Sequence, residues 1–219
     1  MVSEKEAGRA DGGGRRSREE ARSEILEAAE RFLRERPLRE LTVGDLMDRT
    51  SIGRSAFYVY FEDRYRLVAA LLARLETDFL EAAASWLSDP SKPDPFPRLR
   101  QALEATVAVW AEHGPVLRAI AEAAAQDHDV EQAYRWGLLE RFIVATADRI
   151  ETGRALGRIG DLDARETATA LILMNERYLA DRFGKSPQID SQQAVDTLYT
   201  IWSATLYGGR QRNLGGSDS

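Results

Sequence analysis

Apolar residues in this chain recur at intervals of three and four positions, and no segment alternates apolar with polar residues as a half-buried strand does. One apolar stripe starts near Asp63 and keeps the helical spacing through Leu87, over about 25 residues, which corresponds to roughly 37 Å of helix. That helix is longer than a small three-helix unit needs. The pattern therefore predicts an all-α fold of about nine helices, in which one long helix joins two domains.

Prolines, glycines and capping residues divide the chain into predicted helices. Ser17 with Glu20, and Thr42 with Asp45, match the capping box that starts a helix. Pro37 ends the first helix, and a proline-rich run ends the long one. The predicted helices cover approximately residues 17–35, 42–50, 54–61, 63–88, 97–112, 115–126, 130–152, 163–183 and 191–207.

The predicted domains follow from these breaks. Residues 1–16 are rich in glycine and charge and are expected to form a disordered basic arm, and residues 210–219 a disordered tail. Residues 17–66 contain the short helices and form the expected helix-turn-helix domain, which we call the head. Residues 67–209 form the expected helical body, which would bind a ligand and hold two copies of the chain together.

The charge of the chain is unevenly distributed. The net charge is −6, so the protein as a whole is not a basic protein that coats DNA. Residues 1–70 hold 14 basic and 14 acidic residues, whereas the rest of the chain holds 16 and 22. Any contact with nucleic acid must therefore come from a local patch near the N-terminus.

The composition also excludes several kinds of site. The chain has no cysteine, which removes disulfides, thiolate metal sites and cysteine nucleophiles. It has no run of about 18 apolar residues that could span a membrane, and its first residues lack the apolar core of a signal peptide. We therefore expect a cytoplasmic protein with no membrane contact and no cofactor.

Residues 42–61, with the sequence TVGDLMDRTSIGRSAFYVYF, predict two short helices joined by a tight turn, and we call them the recognition unit. Helical spacing places Phe57 and Phe61 on one face, which is expected to be buried. Arg54 and Tyr58 lie on other faces of the same helix. This short helix therefore presents a cation and a phenol to its surroundings, as a helix that binds nucleic acid does.

The order of cap, turn and aromatic pair over residues 20–75 resembles the tetracycline-repressor (TetR) family of transcriptional regulators. The resemblance implies a dimeric repressor that binds a palindromic operator in double-stranded DNA and is released by a small lipophilic or aromatic ligand. Its recognition helices would enter successive major grooves. Members of the family usually carry a Ser-Lys pair after the aromatic run. This chain has Glu62-Asp63-Arg64-Tyr65, so Arg64 stands in for the phosphate-binding lysine.

The expected DNA contacts fall into two groups. Arg54, Ser55 and Ala56 lead the recognition helix and are expected to contact base edges, since arginine pairs with guanine and a methyl group meets the thymine methyl. Contacts to phosphate set the register and carry little sequence information. They are expected from Thr42, Tyr58, Tyr60 and Arg64, and Gly44 is expected to allow close approach to the DNA backbone.

The last two predicted helices, residues 163–183 and 191–207, are apolar on more than one face. A wide apolar surface requires a partner, and two such helix pairs packed across a two-fold axis form a four-helix bundle. We expect a homodimer through these helices. The alternative is a helix pair that is buried within its own domain.

An asparagine in the body marks a predicted ligand cavity. Asn175 follows the apolar residues 170–174, where its amide would orient a ligand among aromatic rings or would instead bridge backbone groups. Residues 173–177 and 197–208 resemble the ethionamide-resistance regulator subgroup of the TetR family, whose members hold lipophilic ligands in an aromatic tunnel. The expected ligand-binding residues are Leu99, Thr106, Trp110, Leu138, Asn175, Tyr178 and Trp202.

Two other classes of function remain open. An enzyme needs a reactive cluster, and this chain offers only His113 and His128, of which His128 lies in the metal-like run Gln126-Asp127-His128-Asp129. We expect neither a catalytic nor a metal site. The second alternative is a ligand-binding adaptor that does not bind DNA, because the head carries no net positive charge and Glu62-Asp63 repels phosphate. Salt-dependent binding to promoter DNA would distinguish the adaptor from a repressor.

Overall fold

The computed structural model describes residues 11–88, 95–185 and 188–208, with side chains from residue 18 onward. All regular structure in these ranges is helical, which confirms the predicted all-α class. The α-helices are α1 (Asp11–Glu35), α2 (Val43–Met47), α3 (Phe57–Tyr60), α4 (Arg64–Leu87), α5 (Phe96–Ala124), α6 (His128–Glu131), α7 (Glu140–Ala155), α8 (Ala164–Phe183) and α9 (Ser191–Tyr207). Short 3₁₀ turns cover Leu38–Glu40 and Arg54–Ala56, and a π-helical segment covers Gln132–Leu139. No helix in the described ranges is long and apolar enough to cross a membrane.

The head is held together by a small aromatic and aliphatic core. Phe32 of α1, Leu46 of α2 and Phe57 of α3 are each fully buried, and Phe61 packs against Phe57 with its ring centroid 5.7 Å away. The Thr42 hydroxyl oxygen accepts a hydrogen bond from the Asp45 amide (3.1 Å) and caps α2, as the sequence predicted. The core therefore fixes α2 and α3 against α1.

The start of α1 differs from the prediction. The helix begins at Asp11, so Ser17 is an interior residue and does not cap the first turn. A capping residue must have non-helical backbone angles, and the serine and glutamate pattern by itself does not show which residue lies outside the helix. The predicted disordered arm covered residues 1–16, of which residues 11–16 lie in α1. Residues 1–10 and the predicted tail, residues 210–219, lie outside the described residues.

Helix α5 runs unbroken through Pro115, where the sequence predicted two helices. A proline inside a helix deprives the carbonyl four residues earlier of its donor. Here that carbonyl belongs to Ala111, and the side-chain amide of Gln188 donates to it from 3.2 Å. Gly114 lies against the backbone of Phe183 at the same point. A side chain from the α8–α9 connection therefore supplies the missing hydrogen bond.

The helix predicted over residues 130–152 is also altered. It is continuous from His128 to Ala155 but passes through the π-helical segment Gln132–Leu139. The wider turn buries Tyr134 and Leu138 on the inner side and leaves Trp136 with 61% of its surface exposed.

Helices α8 and α9 bury most of their apolar residues within the body. Leu171, Leu179 and Phe183 of α8 and Leu198 and Trp202 of α9 are all buried in this single chain. The apolar surface that remains outside includes Leu173 and Ile201, each about two-fifths exposed. The wide apolar surface inferred from the sequence is thus mostly an internal packing surface, and a narrower strip remains open.

Candidate nucleic-acid interface and effector cavity

The recognition unit holds its leading arginine in a defined orientation. Arg54 donates from Nε to Asp48 Oδ1 (3.0 Å) and from Nη2 to Asp48 Oδ2 (2.6 Å). The hydrogen bond and the charge of Asp48 raise the pKa of Arg54, so the guanidinium stays protonated. Two-thirds of the arginine side chain is exposed to solvent. Asp48 occupies Nε and one hydrogen of Nη2, so the hydrogens of Nη1 and the second hydrogen of Nη2 are not used in this pair.

Gly44 lies beneath this arginine. A Cβ built on Gly44 would lie 3.6 Å from Arg54 Nη1, which is an ordinary van der Waals distance. The arginine itself therefore does not require a glycine at this position. The expected role of Gly44 in close approach to DNA is not tested by the geometry and remains a prediction.

The other predicted DNA-binding residues of the recognition unit all reach the surface of the head. Thr42 and Ser55 are exposed, Ala56 and Tyr60 are half-buried, and Tyr58 is 66% exposed. The Tyr58 ring meets the edge of the buried Phe57 ring at 5.3 Å, so a core residue supports an exposed one. The structure thus places a cation, hydroxyl groups and phenols on the surface of a packed unit.

Arg64 points in another direction. Its guanidinium lies over the Tyr65 ring at 5.0 Å and donates from Nη2 to the Tyr65 hydroxyl (3.0 Å). That hydroxyl donates in turn to Gln126 Oε1 in the turn after α5 (3.2 Å). The sequence suggested Arg64 as a phosphate ligand, whereas the structure shows it contacting the junction between head and body.

The metal-like run is part of the same junction. Arg66 at the start of α4 donates from Nη2 to Asp127 (2.9 Å) and from Nη1 to Asp129 (2.6 Å). Asp127 also caps α6 by accepting from the Val130 amide (3.0 Å). No metal-binding cluster of histidine and acidic side chains occurs among the residues described. These carboxylates therefore bind an arginine and join α4 to α6.

The body encloses a largely apolar cavity. Its volume is about 100 Å³, measured as the space open to the centre of a water-sized sphere. Helices α4, α5, α7, α8 and α9 and the π-helical segment all contribute to its wall, so residues more than 100 positions apart meet there. The wall includes six of the seven predicted residues, namely Leu99, Thr106, Trp110, Leu138, Asn175 and Trp202. Tyr178 is not part of this wall, and its ring instead faces the Arg182 guanidinium at 5.7 Å.

Asn175 is the polar centre of one side of the cavity. Its Oδ1 accepts a hydrogen bond from the indole Nε1 of Trp202 (2.9 Å), and both residues are buried. A buried indole N–H needs a partner, so this pair fixes α8 against α9. The amide therefore bonds a side chain, whereas the sequence suggested either a ligand contact or a backbone bridge.

The sequence alone did not single out a second polar pair in the cavity. The Tyr134 hydroxyl donates to Glu176 Oε1 (2.9 Å), and both residues line the cavity. Burial first, and then the neighbouring carboxylate, raises the pKa of Tyr134 well above its usual value, so the phenol remains a donor. Residues 134 and 176 are far apart in the sequence, and no local pattern connects them. The only available signal was an acidic residue within the apolar run of α8.

Together the head and body define a transcriptional regulator in which a helix-turn-helix DNA-binding unit is joined to a helical ligand-binding domain. Residues 25–71 match the family described as bacterial regulatory proteins, tetR family. Residues 99–208 match the C-terminal domain of the transcriptional regulator EthR. The chain belongs to the TetR family and carries an EthR-like C-terminal domain, and the regulators of this family are not enzymes.

Named relatives cover most of the chain. The HTH-type transcriptional regulator EthR of Mycobacterium tuberculosis is 34% identical over 187 residues, which are 84% of this chain and 86% of that protein. The EthR of Mycolicibacterium smegmatis is 30% identical over 200 residues, which are 89% of each chain. A solved TetR-like regulator from Rhodococcus sp. RHA1 has 25% identity and a TM-score of 0.61, over 83% of this chain and 93% of that one.

Proposed function

We propose that this chain is a repressor that binds a palindromic operator as a dimer and leaves it when a lipophilic ligand enters the cavity. One observation carries the proposal. Helix α4 begins at Arg64, three residues after the recognition unit ends, and its other half supplies Phe79 and Trp86 to the cavity wall. A single rigid element thus connects the DNA-binding surface with the ligand-binding one.

Arg54 is the proposed base-reading residue. The side-on pair with Asp48 does not use Nη1 or the second hydrogen of Nη2, and these two nitrogens would donate to O6 and N7 of guanine. Asp48 thereby orients Arg54 before DNA arrives. Ser55 and Ala56 stand beside it as further base contacts, and Thr42, Tyr58 and Tyr60 are the proposed phosphate contacts.

The junction at Arg66 suggests how the cavity controls the head. Arg66 joins the start of α4 to Asp127, which caps α6, and to Asp129, which lies within α6. The π-helical segment follows α6 directly. Tyr134 of that segment lines the cavity. A ligand that binds better when this segment has moved would shift α4 and change the spacing of the two heads. In the DNA-bound dimer that spacing would match successive major grooves, roughly 34 Å apart.

The proposed dimer interface lies on α8 and α9. Leu173 and Ile201 remain exposed on these helices after the body has packed, and a large apolar side chain in water favours association. An Ile201→Asp variant is expected to sediment as a monomer. Val144→Asp is the matched control, since Val144 is similarly exposed on α7. If the Ile201→Asp variant remains a dimer, the interface does not lie on this surface of α8 and α9.

Selection of bound fragments from a random DNA pool tests the main proposal. We expect enrichment of a palindrome with two half-sites, and loss of binding when a lipophilic compound occupies the cavity. Affinity for the selected site should fall steeply with salt, because bound protein displaces counterions from phosphate. If no palindrome is enriched, the repressor proposal fails and the adaptor without DNA binding replaces it.

Since a repressor acts on DNA, we place the protein in the cytoplasm.

A further inference from the structure

Three hydrogen-bond donors around the cavity are already used within the protein. The Tyr134 hydroxyl donates to Glu176, the Thr106 hydroxyl donates to the Ala102 carbonyl (2.8 Å), and the Trp202 indole donates to Asn175. The Tyr134 and Thr106 hydroxyl oxygens still offer lone pairs, whereas Asn175, whose amide oxygen accepts from Trp202, still offers its N–H groups. The neutral polar groups of the wall therefore include both donors and acceptors, and the charge of the wall is what distinguishes one class of ligand from another.

Glu176 is the one charged side chain among the described residues that line the cavity. Its Oε1 accepts from Tyr134, and a carboxylate has roughly four acceptor positions on its two oxygens. No described arginine, lysine or histidine forms an ion pair with Glu176, although many other acidic groups of the chain have such a partner. A cationic ligand would therefore meet a carboxylate that no described cationic side chain already pairs with, and could form a charge-assisted hydrogen bond to it.

Aromatic rings complete the surroundings of a cation. Phe79 meets both Trp110 and Phe142 edge to face, with centroids 6.4 Å apart in each pair, and all three rings line the cavity. The face of an aromatic ring carries negative electrostatic potential and attracts ammonium groups. These rings also supply an apolar surface for the uncharged part of a ligand.

We propose that the effector of this regulator is a lipophilic ammonium compound whose charged nitrogen binds Glu176 and whose apolar body packs among Phe79, Trp110 and Phe142. This inference rests on the proposed function, in that the cavity is taken as the effector site, and it adds the charge class of the ligand. Glu176 selects the ligand, since the other polar groups in the wall attract neutral donors as well. Tyr134 holds the carboxylate in place through one oxygen and leaves the other to the ligand.

Three probes with one carbon skeleton test the proposal. Calorimetric titration of the full-length protein would compare 4-phenylbutylamine, 4-phenylbutan-1-ol and 4-phenylbutanoate at about pH 7, where the amine is protonated and the acid ionised. We expect the amine to bind about ten-fold tighter than the alcohol, because a charge-assisted hydrogen bond replaces a neutral one. The carboxylate should bind weakest, since it faces Glu176.

Two variants connect this preference to the residue. Glu176→Gln keeps the shape and the acceptor for Tyr134 but removes the charge, so it should weaken amine binding about ten-fold and change alcohol binding less than about three-fold. Tyr134→Phe removes the hydrogen bond to Glu176 but keeps the carboxylate charge, so it should retain the preference for the amine. It is the control for any change that Glu176→Gln makes to the cavity other than the loss of charge.

The outcomes separate this inference from the proposed function. Equal binding of amine and alcohol to the wild type, or an unchanged preference in Glu176→Gln, overturns the choice of an ammonium ligand and leaves the cavity as an effector site. Failure of all three probes to bind overturns the inference together with the ligand-released half of the proposed function. Operator binding without any probe, measured on the same preparation, reports on the DNA-binding half alone.

Discussion

The head and the body of this protein place their functional side chains in opposite environments. In the head, Arg54 and Tyr58 are exposed and rest on a small core through Asp48 and Phe57. In the body, Asn175 and Trp202 are buried, and their hydrogen bond also holds two helices together. The difference teaches that a recognition residue of the head can change without loss of stability, whereas a cavity residue of the body carries both function and folding free energy.

The largest expected effect is on DNA binding by the head. Arg54→Ala removes the proposed bidentate base contact, worth about 1–3 kcal/mol, from each half of the operator. We expect operator affinity at one salt concentration to fall at least roughly 30-fold in fluorescence anisotropy. The thermal midpoint should stay unchanged, since the side chain is exposed. Arg39→Ala, another exposed arginine of the head, is the control. If Arg54→Ala binds the operator with wild-type affinity, Arg54 does not contact a base.

A single methyl group at the contact between α5 and α8 tests the packing of the body. The Cβ of Gly114→Ala would lie 2.2 Å from the Phe183 carbonyl oxygen, so backbone must move. We expect a loss of about 2 kcal/mol or more, which lowers the thermal midpoint by roughly 4–8 °C. Gly160→Ala is the control, because no atom lies within 4 Å of the added carbon. An unchanged midpoint in Gly114→Ala would mean that the two helices do not meet at this point.

Asn175→Leu tests whether a cavity residue also supports the fold. The change leaves the buried Trp202 indole without its acceptor, at a cost of about 1–3 kcal/mol. Chemical unfolding of the variant should show this loss, whereas Gln193→Leu on the exposed side of α9 should not. If stability is retained while ligand binding is lost, the contrast between head and body is weaker than the structure indicates.

The smallest expected effect concerns Pro115 in α5. Gln188→Ala removes the donor to the Ala111 carbonyl that the proline deprives of its usual partner. The same amide also donates to the Phe183 carbonyl (3.2 Å). We expect a loss of about 1–2 kcal/mol in the free energy of unfolding, the usual contribution of one or two hydrogen bonds. Gln193→Ala serves as the matched control. If the two variants are equally stable, packing at Gly114 alone, without help from Gln188, keeps α5 unbroken.

The sequence by itself determined the helical class, the recognition unit with its Thr42 cap, and six of the residues that line the cavity. Helical spacing, capping and turn residues act within a few positions of one another, which is why they gave the helices and the recognition unit. The cavity residues came from the resemblance of the sequence to a subgroup of the TetR family. Only the tertiary structure decided that α5 continues through Pro115, that Arg64 and Arg66 turn toward the body, and that Tyr134 meets Glu176. These features depend on groups far apart in the chain, namely Gln188, Gln126, Asp127 and a π-helical turn. Their partners are set by how the helices pack, and no local pattern records that packing.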